Sequence, residues 1–178
     1  MRWLLVLFLL LPGAALANDW DALKEPGAMA IMRHALAPGT GDPAAFELGN
    51  CSTQRNLDEQ GRAQARAIGA AFRERGITFE QVLTSQWCRC RETADLLDLG
   101  PVSDAPSLNS FFQDRSTSVS QTDRPRALIA EASEPMMMVT HQVNISALTG
   151  QFTRSGEVLV IRLDGDDVEI LGSILIEP

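Results

Sequence analysis

The chain has two histidines, and each follows a short apolar run. Ala28-Met29-Ala30-Ile31-Met32 gives way to Arg33-His34, and Met136-Met137-Met138-Val139 gives way to Thr140-His141. Between them Gln81-Val82-Leu83-Thr84 leads into Ser85-Gln86-Trp87-Cys88-Arg89-Cys90-Arg91-Glu92-Thr93. A neutral imidazole can attack phosphorus, and a guanidinium can hold phosphoryl oxygens with two prongs. His34 beside Arg33 reads as such a nucleophile beside such a holder. Ser85, Arg89 and Thr93 share the i, i+4 spacing of one helix face, which selects Arg89 as a second holder. Arg91 is then left to pair with Glu92 or Asp95 on the surface. His141 can donate an N–H to a phosphoryl oxygen and stabilise transition-state charge. Taken singly, each histidine reads as a core residue satisfied by a backbone carbonyl.

Bringing these residues together needs a scaffold. Short continuous apolar runs read as buried parallel strands, and open α/β sheets bind ligands just beyond the carboxyl ends of their strands. Pro38 to Asn56 is polar, bears glycine and proline, and reads as a long loop of the kind that is often functional. Asp58 to Arg75 is helical in composition, with Ala65, Ile68 and Phe72 on one face, Asp58 or Asn56 as N-cap and Gly76 after its end. A second helix runs through Glu92–Leu97 and stops at Gly100-Pro101, after which residues 102–123 read as irregular. Arg124 to Ala132 and Val143 to Leu148 are expected as short helices flanking the strand at 136–140. Glu157 to Leu163, Asp164-Gly165-Asp166 and Val168 to Ile176 read as a β-hairpin. The expected fold is α/β: a three-layer sandwich with a mostly parallel sheet, helices on both faces and a C-terminal hairpin.

Composition narrows the partners. Arg2, the apolar stretch Trp3 to Leu11 and Ala15-Leu16-Ala17 read as an export leader cut after Ala17. This predicts a single domain over 18–178, in a periplasm or secreted, with no membrane span after cleavage. A net charge of −8 speaks against nucleic acid and anionic membrane surfaces. Among Cys51, Cys88 and Cys90, an oxidising compartment favours one disulfide and one thiol. Cys88 and Cys90 would point apart on a helix, so Cys51 is expected to pair with one of them. The Met136–Met138 run reads as core filler. Neither histidine has a carboxylate or cysteine at ligand spacing, so no metal site is expected.

Four motifs, in order, resemble the histidine phosphatase (phosphoglycerate mutase-like) superfamily. Met32-Arg33-His34-Ala35 is similar to its Arg-His-Gly signature, with alanine in place of the glycine. Asn56-Leu57-Asp58-Glu59-Gln60-Gly61-Arg62-Ala63-Gln64-Ala65 is similar to its Leu-Thr-x-x-Gly-x-x-Gln-Ala helix start. Ser85-x-x-x-Arg89-x-x-x-Thr93-Ala94 resembles its second-arginine motif, and Val139-Thr140-His141 its second histidine. The leader, and a cysteine in the loop after the first motif, also resemble the periplasmic lipopolysaccharide heptose-phosphate phosphatase branch.

The resemblance implies phosphoester or phosphoramidate hydrolysis through a phosphohistidine on His34, with Arg33, Arg89 and His141 clamping the phosphoryl group and no metal or cofactor. The substrate would be a small phosphorylated molecule, with an envelope sugar phosphate one candidate. The leaving-group acid departs from the family pattern. Serine stands at position 110, where mutase-type members carry glutamate, and Gln142 follows the second histidine, where other branches carry an acid. Asp114, close behind Phe111-Phe112, is the expected substitute. A chain that keeps the clamp without an effective acid would instead be a phosphate- or sugar-phosphate-binding module.

Overall fold

The computed structural model describes residues 18–177, so the leader expected at residues 1–17 lies outside the described residues. Six strands form one sheet: β1 (Met29–Arg33), β2 (Gln81–Thr84), β3 (Val102–Asp104), β4 (Met136–Thr140), β5 (Val158–Asp164) and β6 (Asp167–Ile174). Their order is β3-β2-β4-β1-β5-β6. The first four are parallel, and the β5–β6 hairpin adds antiparallel to the edge of β1. Among the described residues four α-helices complete the fold: α1 (Glu59–Arg73), α2 (Cys88–Leu97), α3 (Ser120–Glu131) and α4 (Gln142–Thr149). This is the expected mostly parallel sandwich. Among the described residues no helix is long and apolar enough to cross a membrane.

The uninterrupted apolar runs follow from burial on both faces, since alternate side chains of a strand point to opposite sides. Ala30, Met32, Met137 and Val139 pack with Ile68 and Phe72 of α1 and Ala94 and Leu97 of α2. Met29, Ile31, Met136 and Met138 pack with Ile129 of α3 and Ile145 and Leu148 of α4. The methionine run is therefore split between two cores, as filler. The hairpin turns at Gly165, whose φ of +61° suits a residue without a Cβ.

Two local expectations shift. Val102–Asp104, read as irregular, pairs with β2 as a short parallel strand. It is too short and polar to show a period. Helix α3 starts at Ser120 rather than Arg124 and takes Pro125 inside it. Its first turn is anchored by Gln121, whose Nε2 donates to the Asn109 carbonyl at 2.6 Å. Arg91 pairs with Asp95, one of the two carboxylates expected for it, and also with Asp104, while Glu92 is taken by Arg62. Cys51 and Cys88 form the disulfide, across 37 residues of sequence, and Cys90 is a buried thiol. Closing a loop of that size removes about 4 kcal/mol of unfolded-state chain entropy.

Helix α1 locks the segment that follows β1. Asp58 caps it by accepting from the Gly61 N–H at 2.8 Å. The buried Gln64 accepts from Leu36 N–H at 3.0 Å and donates to the carbonyls of Ser155 (2.9 Å) and Ile176 (3.1 Å). Gly61 lets the Leu36 backbone approach so closely that a Cβ there would sit 1.9 Å from the Leu36 carbonyl oxygen. Gly61→Ala should therefore destabilise the protein by about 1–3 kcal/mol through overpacking, although alanine favours helix by about 1 kcal/mol. Urea unfolding of the variant beside Arg66→Ala checks this; equal or greater stability of Gly61→Ala would contradict the close approach.

Candidate active site

Strand order brings three chemical segments to one sheet edge. Arg33 is in register with Thr140 on the adjacent strand, so His34 and His141 emerge side by side, ring centroids 5.6 Å apart. The pairing continues past the strand, with His34 N–H donating to the Thr140 carbonyl at 3.0 Å. On the other side of β4, Ser85 N–H donates to the Val139 carbonyl at 3.0 Å and delivers the start of α2.

The tautomer of His34 follows from its neighbours. Its Nδ1 lies 2.8 Å from the Ala35 carbonyl, which only accepts, so Nδ1 carries the hydrogen and Nε2 a lone pair. Arg89 Nε–H donates to that Nε2 at 3.2 Å. Ala35 is held in turn by Thr93, whose Oγ1 accepts its N–H at 3.1 Å. Burial first, then the Arg89 charge, pushes the His34 pKa well below the ordinary histidine range. Burial and Arg89, with His34 beside it, do the same to His141. Both rings are therefore neutral near pH 7.

Arg89 is 3% exposed and fully engaged. Its Nη1 and Nη2 donate to Asp42 Oδ1 at 2.7 Å and Oδ2 at 3.1 Å, a two-pronged pair. Nη1 also donates to the Arg55 carbonyl (3.2 Å) and Nη2 to His141 Nδ1 (3.4 Å). Burial alone would raise the Asp42 pKa, but the hydrogen bond and charge of Arg89, with donors from Arg55 N–H and Trp87 Nε1–H, outweigh it and keep the carboxylate ionised. Arg55 donates to the carbonyls of Ala37 and Gly41. Burial, reinforced by Arg89, lowers its pKa to about 10, which leaves it cationic at neutral pH. Arg33 donates Nη1 to the Thr153 carbonyl at 3.2 Å, and its buried Nε has no protein partner.

Arg33, His34, Asp42, Arg55, Arg89 and His141 line one pocket of about 280 Å³. Of the residues singled out from the sequence, Arg33, His34, Arg89 and His141 meet there. Asp114 does not line it. That carboxylate is exposed and caps a short 3-10 turn, accepting from Ser116 N–H at 2.9 Å, and the bond holds its pKa below the usual range. An ionised capping carboxylate is a poor acid. Gln142 does line the pocket, though its Oε1 is committed to Thr153 N and Oγ1. Asp42 and Arg55 were not expected in the site. Both lie at the ends of the loop read as long and functional, but nothing in its spacing singles them out. Among the described residues no group of three or more His, Cys, Asp or Glu side chains stands together as a metal site.

Residues 29–111 match the model of the histidine phosphatase superfamily (branch 1). Over that stretch, just under half of the chain, the protein is similar to this superfamily. Its second histidine lies beyond the matched stretch, so strand register alone sets His141 beside His34. A further relative is the mitochondrial serine/threonine-protein phosphatase Pgam5 of Drosophila grimshawi, 35% identical over 52 residues. That match covers 29% of this chain and 18% of the fly protein, so the chain spans less than a fifth of its length there. The alpha-ribazole phosphatase of Shigella flexneri superposes with a TM-score of 0.56 at 18% identity, covering 80% of this chain and 94% of that one. The protein histidine phosphatase SixA, solved with tungstate, gives 0.56 at 19% identity, covering 83% and 96%. At such identities these neighbours establish the shared fold.

Two histidines held neutral by burial make this protein sensitive to mild acid. The unfolded chain takes up protons near pH 6.5, about the ordinary value, which the folded chain refuses. Stability is therefore complete above that pH and falls as pH drops through it, by up to about 1.4 kcal/mol per pH unit for each histidine. Urea midpoints between about pH 7.5 and about pH 5.5 should show the decline, and a His34→Asn, His141→Asn variant should lose most of it. An unchanged slope in that variant would place the titration elsewhere.

Proposed function

We propose that this chain is an exported phosphatase that hydrolyses phosphomonoesters or phosphoramidates through a phosphohistidine on His34. The observation that carries the reading is the Nε2 lone pair of His34, fixed by the Nδ1–H bond to Ala35 and faced by Arg89 at 3.2 Å. Nε2 attacks phosphorus, the bond to the leaving group breaks, and the departing atom leaves with its electron pair and takes a proton. Water then attacks the phosphorus, the P–N bond breaks, and Nε2 recovers its lone pair as phosphate departs. Arg33, Arg55, Arg89 and His141 supply the positioning and charge that phosphoryl transfer mainly requires, and the sequence of steps needs no metal. Export is supported by the leader-like residues 1–17 and by the Cys51–Cys88 pair, since disulfides persist in oxidising compartments. A small envelope sugar phosphate suits that location.

The competing reading, a phosphate- or sugar-phosphate-binding module, draws on Asp42 holding both prongs of Arg89 at rest. Exposing the protein to ³²P-labelled phosphoesters, quenching and mapping the label separates the two. Label on His34, with p-nitrophenyl phosphate hydrolysis lost in His34→Ala, is the expected result. Label elsewhere would refute the mechanism, and two equally inactive proteins that still bind vanadate would favour the binding module.

Within the catalytic reading Asp42, not Asp114, is the leaving-group acid. A phosphoryl group on Arg89 takes away the carboxylate's cation and sets an anion beside it, and both changes raise its proton affinity. Asp42→Asn should lower kcat on alkyl phosphates by about 10²–10⁴-fold, the usual worth of general acid catalysis, and much less on p-nitrophenyl phosphate. Asp114→Asn should leave both rates unchanged. The opposite pattern in the two variants would return the role to Asp114.

A further inference from the structure

Four large apolar side chains are well exposed among the described residues: Leu48, Phe112, Val119 and Phe152. A single exposed apolar residue is ordinary. Here two of the four, Phe112 (49% exposed) and Phe152 (76%), line the same pocket as His34. They reach it from unrelated parts of the chain, one between β3 and α3 and the other between α4 and β5. Val143 adds an apolar surface, and Ser110, Gln113 and Thr40 add uncharged polar ones. Among the described residues, no side chain lining the pocket beyond Arg33, Arg55, Arg89 and Asp42 is ionised at neutral pH. A leaving group with its own phosphate or carboxylate would find no further cation there. At about 280 Å³ the pocket falls just below the about 300–1,000 Å³ usual for small-molecule sites.

Resting on the phosphoryl-binding reading of the charged end, we propose that the leaving group is an uncharged ring, its apolar face against Phe112 and Phe152 and its polar edge toward Ser110, Gln113 and Thr40. Aromatic side chains combine large contact area with a directional face, which suits a flat partner. A carbohydrate ring and an arene share this chemistry, and the experiment is arranged to tell them apart.

Binding constants for the stable analogues phenylphosphonate and methylphosphonate separate ring recognition from leaving-group reactivity. Phenylphosphonate should bind about three- to tenfold tighter, the worth of one aromatic contact. The Phe112→Ala, Phe152→Ala double variant should bring that ratio to about one, whereas Val119→Ala, exposed outside the pocket, should keep it. Inhibition by a hexose 1-phosphate against glycerol phosphate repeats the comparison for a carbohydrate ring. A preference in either pair supports the proposal, and the pair with the larger preference identifies the ring. No preference in either pair, or one that survives the double variant, overturns it. Failure of every compound to bind refutes the phosphoryl site itself and the ring proposal with it, a result distinct from binding without preference.

Discussion

The buried guanidinium of Arg89 is the constraint around which the site is organised. A cation taken out of water costs several kcal/mol unless its donors are met. Here every direction is met, by His34 Nε2, both oxygens of Asp42, the Arg55 carbonyl and His141 Nδ1. The same charge helps keep two imidazoles neutral and one carboxylate ionised. With Arg33 and Arg55, three guanidiniums face a single carboxylate, leaving two positive charges at the pocket. That excess matches the charge of about −1.5 to −2 on a phosphomonoester near pH 7. Asp42 is the resting occupant of a fork built for two oxygens, and a phosphoryl group would meet the same donors.

Holding this arrangement takes ties from outside the pocket. Gln64 joins the backbone after β1 to Ser155 and Ile176, and Thr93 carries Ala35 on the helix that bears Arg89. The Cys51–Cys88 bridge fixes the loop that supplies Asp42 and Arg55 to the residue immediately before Arg89. Gln54 repeats the tie, its Oε1 accepting from Cys88 N–H at 3.0 Å. The disulfide thus links the two partners of the Arg89–Asp42 pair through covalent chain as well as charge.

Periodicity and burial explain why much of this was legible in the sequence. Strands β1, β2 and β4 are apolar on both faces, so their runs and their polar terminations at Arg33-His34, Ser85 and Thr140-His141 stand out. The i, i+4 spacing separated Arg89 from Arg91 because one side of α2 is buried and the other is not. Asp42 and Arg55 escaped because they belong to a loop, where position is set by hydrogen bonds to distant backbone and not by any repeat. Asp114 attracted attention through proximity in sequence to Phe111-Phe112, yet it serves its own local turn. The choice between Cys88 and Cys90 depended on which side of α2 meets that loop, a tertiary fact. Cys90 lies on the inner side against His141, its thiol pushed up to about 12 by burial.

His141 shows how neutrality at rest and anion binding are reconciled. Arg89 only donates, so His141 Nδ1 accepts from it, and the ring hydrogen sits on Nε2, donating to Ser85 Oγ at 2.8 Å. Ser85 passes its own hydroxyl hydrogen to Asn109 Oδ1 at 3.2 Å, and Asn109 also accepts from Gln86 N–H. On the proposed reading, a phosphoryl group on Arg89 asks Nδ1 to donate instead. An anion at that distance raises the proton affinity of the ring, and a proton taken up at Nδ1 meets the demand. Nε2–H, Ser85 and Asn109 keep the same bonds in both states, so the ring has no reason to turn. The clamp can therefore be neutral and buried in the empty pocket and charged in the filled one, with no side chain rearranged behind it.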